Sequence, residues 1–160
     1  MSLKVYIETT IPSAYHENRR DTDSVFRRQH TRAWWDGYAA HYSLVTSEAV
    51  FQELRQPSYP AAKRAACLAL MNSVPLVPIT DAVVTAAEVY AREFVMPNQP
   101  SLDALHLSLA SFHECDILLT WNCEHLANAN KLGHIRKVNR RLKLSTPLLI
   151  TPLQLMKADT

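Results

Sequence analysis

Lys4-Val5-Tyr6-Ile7-Glu8 is the stretch from which the rest of the chain can be read. A short β-rich run, a strand over Leu3–Ile7, ends on a carboxylate, and Pro12 and Ser13 then fall in a turn or a first helical turn. A charged residue at a buried strand end is costly unless it is paired. Three later residues, Glu53, Asp103 and Asn122, fall where a strand or helix end can point them back at Glu8. Acidic and amide oxygens gathered at one edge of a parallel sheet suit Mg2+ or Mn2+. Ions held in that way usually work on phosphate esters.

Outward from this segment, β-rich runs alternate with helical patterns, which describes an α/β fold. Asp23–Tyr42 reads as a helix with Phe26, Ala33, Trp34 and Tyr38 turned inward. Tyr42–Val45 reads as a second strand, and Ser47 as the cap of a helix through Leu54. Pro57 and Pro60 break the chain before a helix over Ala61–Met71, and Leu76–Ile79, bracketed by Pro75 and Pro78, reads as an edge strand. Thr80 or Asp81 caps Ala82–Phe94, Met96–Pro100 is a loop, and Ser101 caps Leu102–His113. Ile117–Thr120 is a buried strand, Ala127–Arg141 a basic helix and Leu148–Ile150 a last strand. Crossovers this long imply a mainly parallel sheet with helices on both faces, in one domain spanning residues 1–160. Ligands of such sheets bind beyond the carboxyl ends of the strands, where Glu8 and Asn122 fall.

Composition narrows the function. With only Gly37 and Gly133, no Walker A loop or GxGxxG turn can be written, and there is no GxSxG or HExxH. No apolar run reaches the roughly 18–20 residues that span a bilayer, and the first residues enter a strand with no signal-peptide pattern. Cys67, Cys115 and Cys123 are an odd set without CxxC spacing, as expected of a reduced, cytoplasmic protein. Net charge is only +2, but from His125 to Ala158 no acid occurs beside Lys131, Arg136, Lys137, Arg140, Arg141, Lys143 and Lys157. A second basic cluster, Arg19, Arg20, Arg27, Arg28 and Arg32, is diluted by Glu17, Asp21 and Asp23. Local positive fields of this kind suit a polyanion such as RNA or DNA, or simply a solvated helix face.

Each acid has a bland explanation as well. Asp103 sits in a first helical turn, where the helix dipole favours it by about 0.3–1 kcal/mol. Glu48 is favoured in the same way, whereas Glu53 near its helix end is not, so Glu53 needs a cation; Arg55 and Arg20 are the ordinary candidates. Glu8 could pair with an arginine, and Asn122 could make an Asx-type turn. Two carboxylates about 5 Å apart repel by roughly 3 kcal/mol at an effective dielectric near 20. Three meeting together therefore imply a metal or a proton. Zinc at His113, Cys115, Cys123 and His125 is excluded, because the strand between the pairs holds them about 13 Å apart.

These segments together resemble PIN-domain proteins, of the kind found as VapC-type ribonuclease toxins. The resemblance rests on Val-Tyr-Ile-Glu8-Thr9-Thr-Ile-Pro-Ser and on Ser47-Glu-Ala-Val-Phe-Gln-Glu53-Leu. It continues in Asp103-Ala-Leu-His106-Leu-Ser-Leu-Ala-Ser and Cys115-Asp-Ile-Leu-Leu-Thr120-Trp-Asn122. It implies a three-layer α/β/α sandwich and a Mg2+- or Mn2+-dependent endoribonuclease, the toxin of a toxin–antitoxin pair, with RNA as substrate and an antitoxin or a second copy as partner. The catalytic quartet maps onto Glu8, Glu53, Asp103 and Asn122, with Glu8, Glu53 and Asp103 as metal ligands. Thr9 and Thr120 match small hydroxyl positions beside substrate, and Arg136, Lys137, Arg140 and Arg141 are candidates to grip phosphates. Two departures stand out: Glu8 where the family has Asp, and the neutral Asn122 where Asp is common. Both weaken a second metal most. His106 is expected to face the core, and Trp34, Trp35 and Trp121 to be core or interface residues. The alternatives are a catalytically weak nucleic-acid-binding module, a partner-regulated protein, or a metal hydrolase acting on small esters.

Overall fold

The computed structural model describes residues 2–93, 95–96 and 102–158, the last two of these for their backbone only. Four strands, β1 (Lys4–Ile7), β2 (Ser43–Val45), β3 (Ile117–Leu119) and β4 (Leu148–Ile150), form one sheet in the order β2-β1-β3-β4. Every pairing is parallel, with Tyr6 opposite both Val45 and Leu118. Successive side chains of a strand point to opposite faces. Val5, Tyr6 and Ile7 are all fully buried, so both faces of the sheet are covered.

The covering helices are α1 (Thr10–Tyr15), α2 (Thr22–Gly37), α3 (Glu48–Leu54), α4 (Ala61–Met71), α5 (Asp81–Arg92), α6 (Leu102–Phe112), α7 (Ala129–Leu142) and α8 (Pro152–Ala158). One layer gathers α1, α2, α4 and α8. The other gathers α5, α6 and α7, joined where the Tyr90 hydroxyl donates to Asn139 and Asn139 donates to Ser111. Helix α3 touches both α4 and α6. The result is a three-layer α/β/α sandwich.

Several expectations are corrected. Leu76–Ile79 is not a strand: Leu76 makes one isolated parallel bridge with Thr46. Pro75 and Pro78 have no N–H to extend the ladder, and only Val77 donates, to Thr46. The long helix expected to Tyr42 ends at Gly37, and a 3-10 turn over Ala39–His41 follows. Phe26 and Ala33 lie on its exposed side; the buried stripe is Ser24, Thr31 and Trp34. Leu102 is exposed at the start of α6. Helix α8 follows β4 unforeseen, entered by Pro152. The expected cap at Ser101, the loop over 97–100, the helix end at Phe94 and the Lys157 side chain lie outside the described residues.

Strand order positions the site. From β1 the chain crosses outward to β2, then returns across β1 to β3 and continues outward to β4. Neighbouring strands β1 and β3 therefore send their connections in opposite directions, and the crevice beyond their carboxyl ends is the switch point of the sheet. The core under it is dense. Leu118, fully buried at the centre of β3, is expected to cost about 2–5 kcal/mol when cut to Ala. Urea unfolding should register this as a lower midpoint with an unchanged slope.

Candidate metal and phosphate site at the sheet switch point

Glu8 is the first residue beyond β1, and its side chain is 3% exposed. Three local donors hold it. The Thr120 hydroxyl, just beyond β3, donates to Oε1 at 2.6 Å, and the Thr10 hydroxyl donates to the same oxygen at 2.5 Å. The Thr10 N–H reaches Oε2 at 3.1 Å. The Trp121 N–H in turn donates to the Thr10 hydroxyl at 2.8 Å, tying the exit of β3 to the start of α1. Among the described residues no arginine pairs with Glu8.

Glu53 lies in the last turn of α3 and accepts at Oε1 from the Thr9 hydroxyl at 2.8 Å and from His106 Nε2 at 2.5 Å. Arg55 turns instead to Glu48, at 2.7 Å. Asp103 and His106 stand one helical turn apart on α6. Asp103 Oδ2 accepts from His125 Nδ1 at 3.0 Å. Asn122 Oδ1 accepts the His125 N–H at 3.0 Å, an Asx-type turn at the strand exit.

His106 is the common neighbour of the three carboxylates. It is fully buried, with Nε2 on Glu53 and Nδ1 within 2.8 Å of the Tyr6 hydroxyl, which also reaches Ser47 Oγ at 2.8 Å. Burial alone would push its pKa down. The hydrogen bond to Glu53 and the charges of Glu8, Glu53 and Asp103 outweigh burial and raise it. Burial raises the pKa of Glu8, against the pull of His106, Thr10 and Thr120, and the charge of Glu53 adds to the rise. Tyr6 is raised well above its ordinary value by burial and by the same two glutamates. His106 Nε2 thus faces Glu53, and Nδ1 joins a chain of hydrogen bonds through the Tyr6 hydroxyl to Ser47.

The structure thus bonds Glu53 to His106 and Asp103 to His125, and the charges of Glu8 and Asp103 also act on His106. It does not bring Arg136, Lys137, Arg140 and Arg141 to these acids. Helix α7 leaves the carboxyl edge after β3 and must return to the opposite edge, where the parallel strand β4 begins. Fourteen residues cover about 21 Å, and Arg141 at the far end pairs with Glu93. The Thr9 and Thr120 hydroxyls are spent on Glu53 and Glu8. Sequence reading missed Thr10 as the closer partner of Glu8, and Tyr6, Ser47 and His125 as parts of the network. It put His106 in the core, where it lies, without its bond to Glu53. Ser47 stands at the cap position of α3 but makes no capping bond, because its hydroxyl faces Tyr6.

A hard divalent cation fits this donor set in kind. Glu53 Oε2 and Asp103 Oδ1 carry no hydrogen bond among the described residues, and their side chains are 25% and 24% exposed. Among the described residues, however, no three His, Cys, Asp or Glu side chains form a group already within reach of one ion. The three thiols are free; burial pushes those of Cys67 and Cys115 up to about 11. No described helix is long and apolar enough to cross a membrane. No family model, no curated protein and no solved structure matches the chain. Fold and site define it as an α/β protein with a four-stranded all-parallel sheet and a carboxylate-rich switch point.

The raised pKa values set the pH response of the metal-free protein. Because Glu8 titrates higher when folded, the native state holds more protons than the unfolded chain above about pH 4.5, so stability is lost as pH rises through the folded value. His106 acts in the same direction above about pH 6.5. Glu17, held at about 2 despite burial by Arg19 and Lys63, acts oppositely, but only below about pH 4.5. With chelator present, the urea midpoint should fall between pH 6.5 and pH 8; below about pH 6.5 His16, whose pKa is lowered by burial, Arg32 and Lys63, works in the opposite direction. Glu8→Gln should make that fall shallower. A midpoint that rises over this range, or an unchanged slope in Glu8→Gln, contradicts the assignment.

Proposed function

We propose that this protein is a metal-dependent endoribonuclease of the PIN-domain kind, hydrolysing RNA phosphodiester bonds as the toxin of a toxin–antitoxin pair. The observation that carries the reading is the approach of Glu8, Glu53 and Asp103, from three separate elements, to one buried histidine at the switch point. No arginine among the described residues neutralises any of them. The four segments that resemble PIN domains also supply these groups in the same chain order.

Glu8, Glu53 and Asp103 are the residues that would hold Mg2+ or Mn2+. Bound there, such an ion would lower the pKa of a water and neutralise charge growing on the phosphate. The protein's own part is to keep the carboxylates together. Thr10 and Thr120 hold Glu8, Thr9 and His106 hold Glu53, and His125 holds Asp103. The raised pKa values of Glu8 and His106 mean that a cation bound beside them would compete with protons, so loading should release protons. Asn122 brings no charge and spends its oxygen on a backbone N–H, which favours one strong metal site over two. That oxygen, and the lack of a ready three-ligand group among the described residues, also support a second reading, a weakly active RNA-binding module regulated by a partner.

Titration calorimetry with Mn2+, on wild type and on Asp103→Ala, separates the two readings. The nuclease reading expects a binding isotherm with proton release, tighter as pH rises, and at least about 100-fold weaker in Asp103→Ala. The same preparations should cleave a structured RNA only in wild type and only without chelator. Equal cleavage by both proteins would expose a contaminant and leave the binding-module reading.

A further inference from the structure

Two contiguous hollows run along α1, of about 420 and 200 Å3, sharing Ser13, Glu17 and Arg19. One ends at Thr10 and Trp121, directly beside the donors that hold Glu8. The other ends at Tyr59 and Lys63, and Tyr59 feels the charges of Glu53 and Glu8. One end of the groove therefore reaches the threonine that holds Glu8.

Its cations are held in place but poorly neutralised. Arg27 lies over the Trp121 ring, 5.7 Å from the centroid, with no carboxylate partner among the described residues. Arg28 donates to the Glu17 carbonyl at 2.8 Å rather than to a carboxylate. Lys63 and Arg19 share the single carboxylate of Glu17, each at 3.2 Å, and Lys63 also sits 5.4 Å from the Tyr59 ring centroid. Ring faces and carbonyls orient a cation without cancelling its charge. Asp21 caps α2 and Asp36 accepts from Tyr15, so neither acid closes the groove.

We propose that this groove, and not the basic face of α7, seats the phosphate backbone of single-stranded RNA and leads it to Glu8. The proposal rests on the ribonuclease reading for what happens at the carboxylates, but not for the binding itself. A single strand is favoured over a duplex because Glu8 is recessed. A flexible backbone can bend into the switch point, and a rigid helix cannot.

The test is equilibrium binding of a fluorescein-labelled oligouridine, followed by anisotropy at several salt concentrations with chelator present to stop cleavage. Arg19→Glu/Arg27→Glu alters two exposed side chains and spares the core; Arg27→Ala is the milder companion, and thermal melting checks that both fold. The double variant should bind at least tenfold more weakly, with a salt slope shallower by about two phosphate contacts. Arg136→Glu/Arg140→Glu should have the smaller effect, and a duplex of equal length should bind less tightly than the strand. Unchanged binding in the groove variants, greater loss on α7, or preference for the duplex overturns the proposal. If wild type cleaves RNA while the groove variants bind normally, the groove fails and the nuclease reading stands. If the strand binds through the groove but Mn2+ elicits no cleavage, the nuclease reading fails and the groove stands.

Discussion

A carboxylate buried at the end of the central strand, and clasped by two threonine hydroxyls from different parts of the chain, is the constraint on which the site depends. Glu8 has almost no contact with water, so its charge must be met by protein donors. Hydrogen bonds to charged groups are worth about 1.5–3 kcal/mol each, and Glu8 takes two from side chains and one from backbone. Thr120 belongs to the exit of β3 and Thr10 to the start of α1, so holding Glu8 also fixes where both connections leave the sheet. The switch point is thus locked by the same bonds that orient its first acid.

From that anchor the electrostatics follow. Glu53, from α3, adds its charge to that of Glu8, and both act on His106 together with Asp103, from α6. His106, buried against Glu53, has its pKa raised by these acids despite burial and is supported behind by Tyr6 and Ser47. The donors on Glu8 and the bond from His106 to Glu53 hold the acids together in the metal-free protein. Under the proposed ribonuclease function, the same acids would attract a divalent cation, and the recessed Glu8 would restrict which phosphates reach it.

The fold was largely legible in the chain, because its signals are local. Val5–Ile7 and Ile117–Leu119 are continuous apolar runs, as strands buried on both faces must be. Ala61–Met71 is bounded by Pro60 and agrees residue for residue with the expected helix. Where local signals compete, the reading slipped: Val77 suits a strand, but the flanking prolines limit it to a single bridge. In the site, the acids could be found because a charge at a strand or helix end is locally odd. Their partners could not. Tyr6 looks like any buried strand residue and Thr10 like any helix start, and only the packing of β1 against α6 and β3 gives them a role. The basic face of α7 shows the opposite error, since charge can be counted along a sequence but the edge it faces is set by topology.

The most direct measurement is the anomalous difference map of crystals soaked in Mn2+, because it locates the cation independently of turnover. The account predicts one strong peak contacted by carboxylate oxygens of Glu8, Glu53 and Asp103, lost in Glu8→Gln. A peak elsewhere on the surface, or none at concentrations that saturate binding in solution, would contradict it.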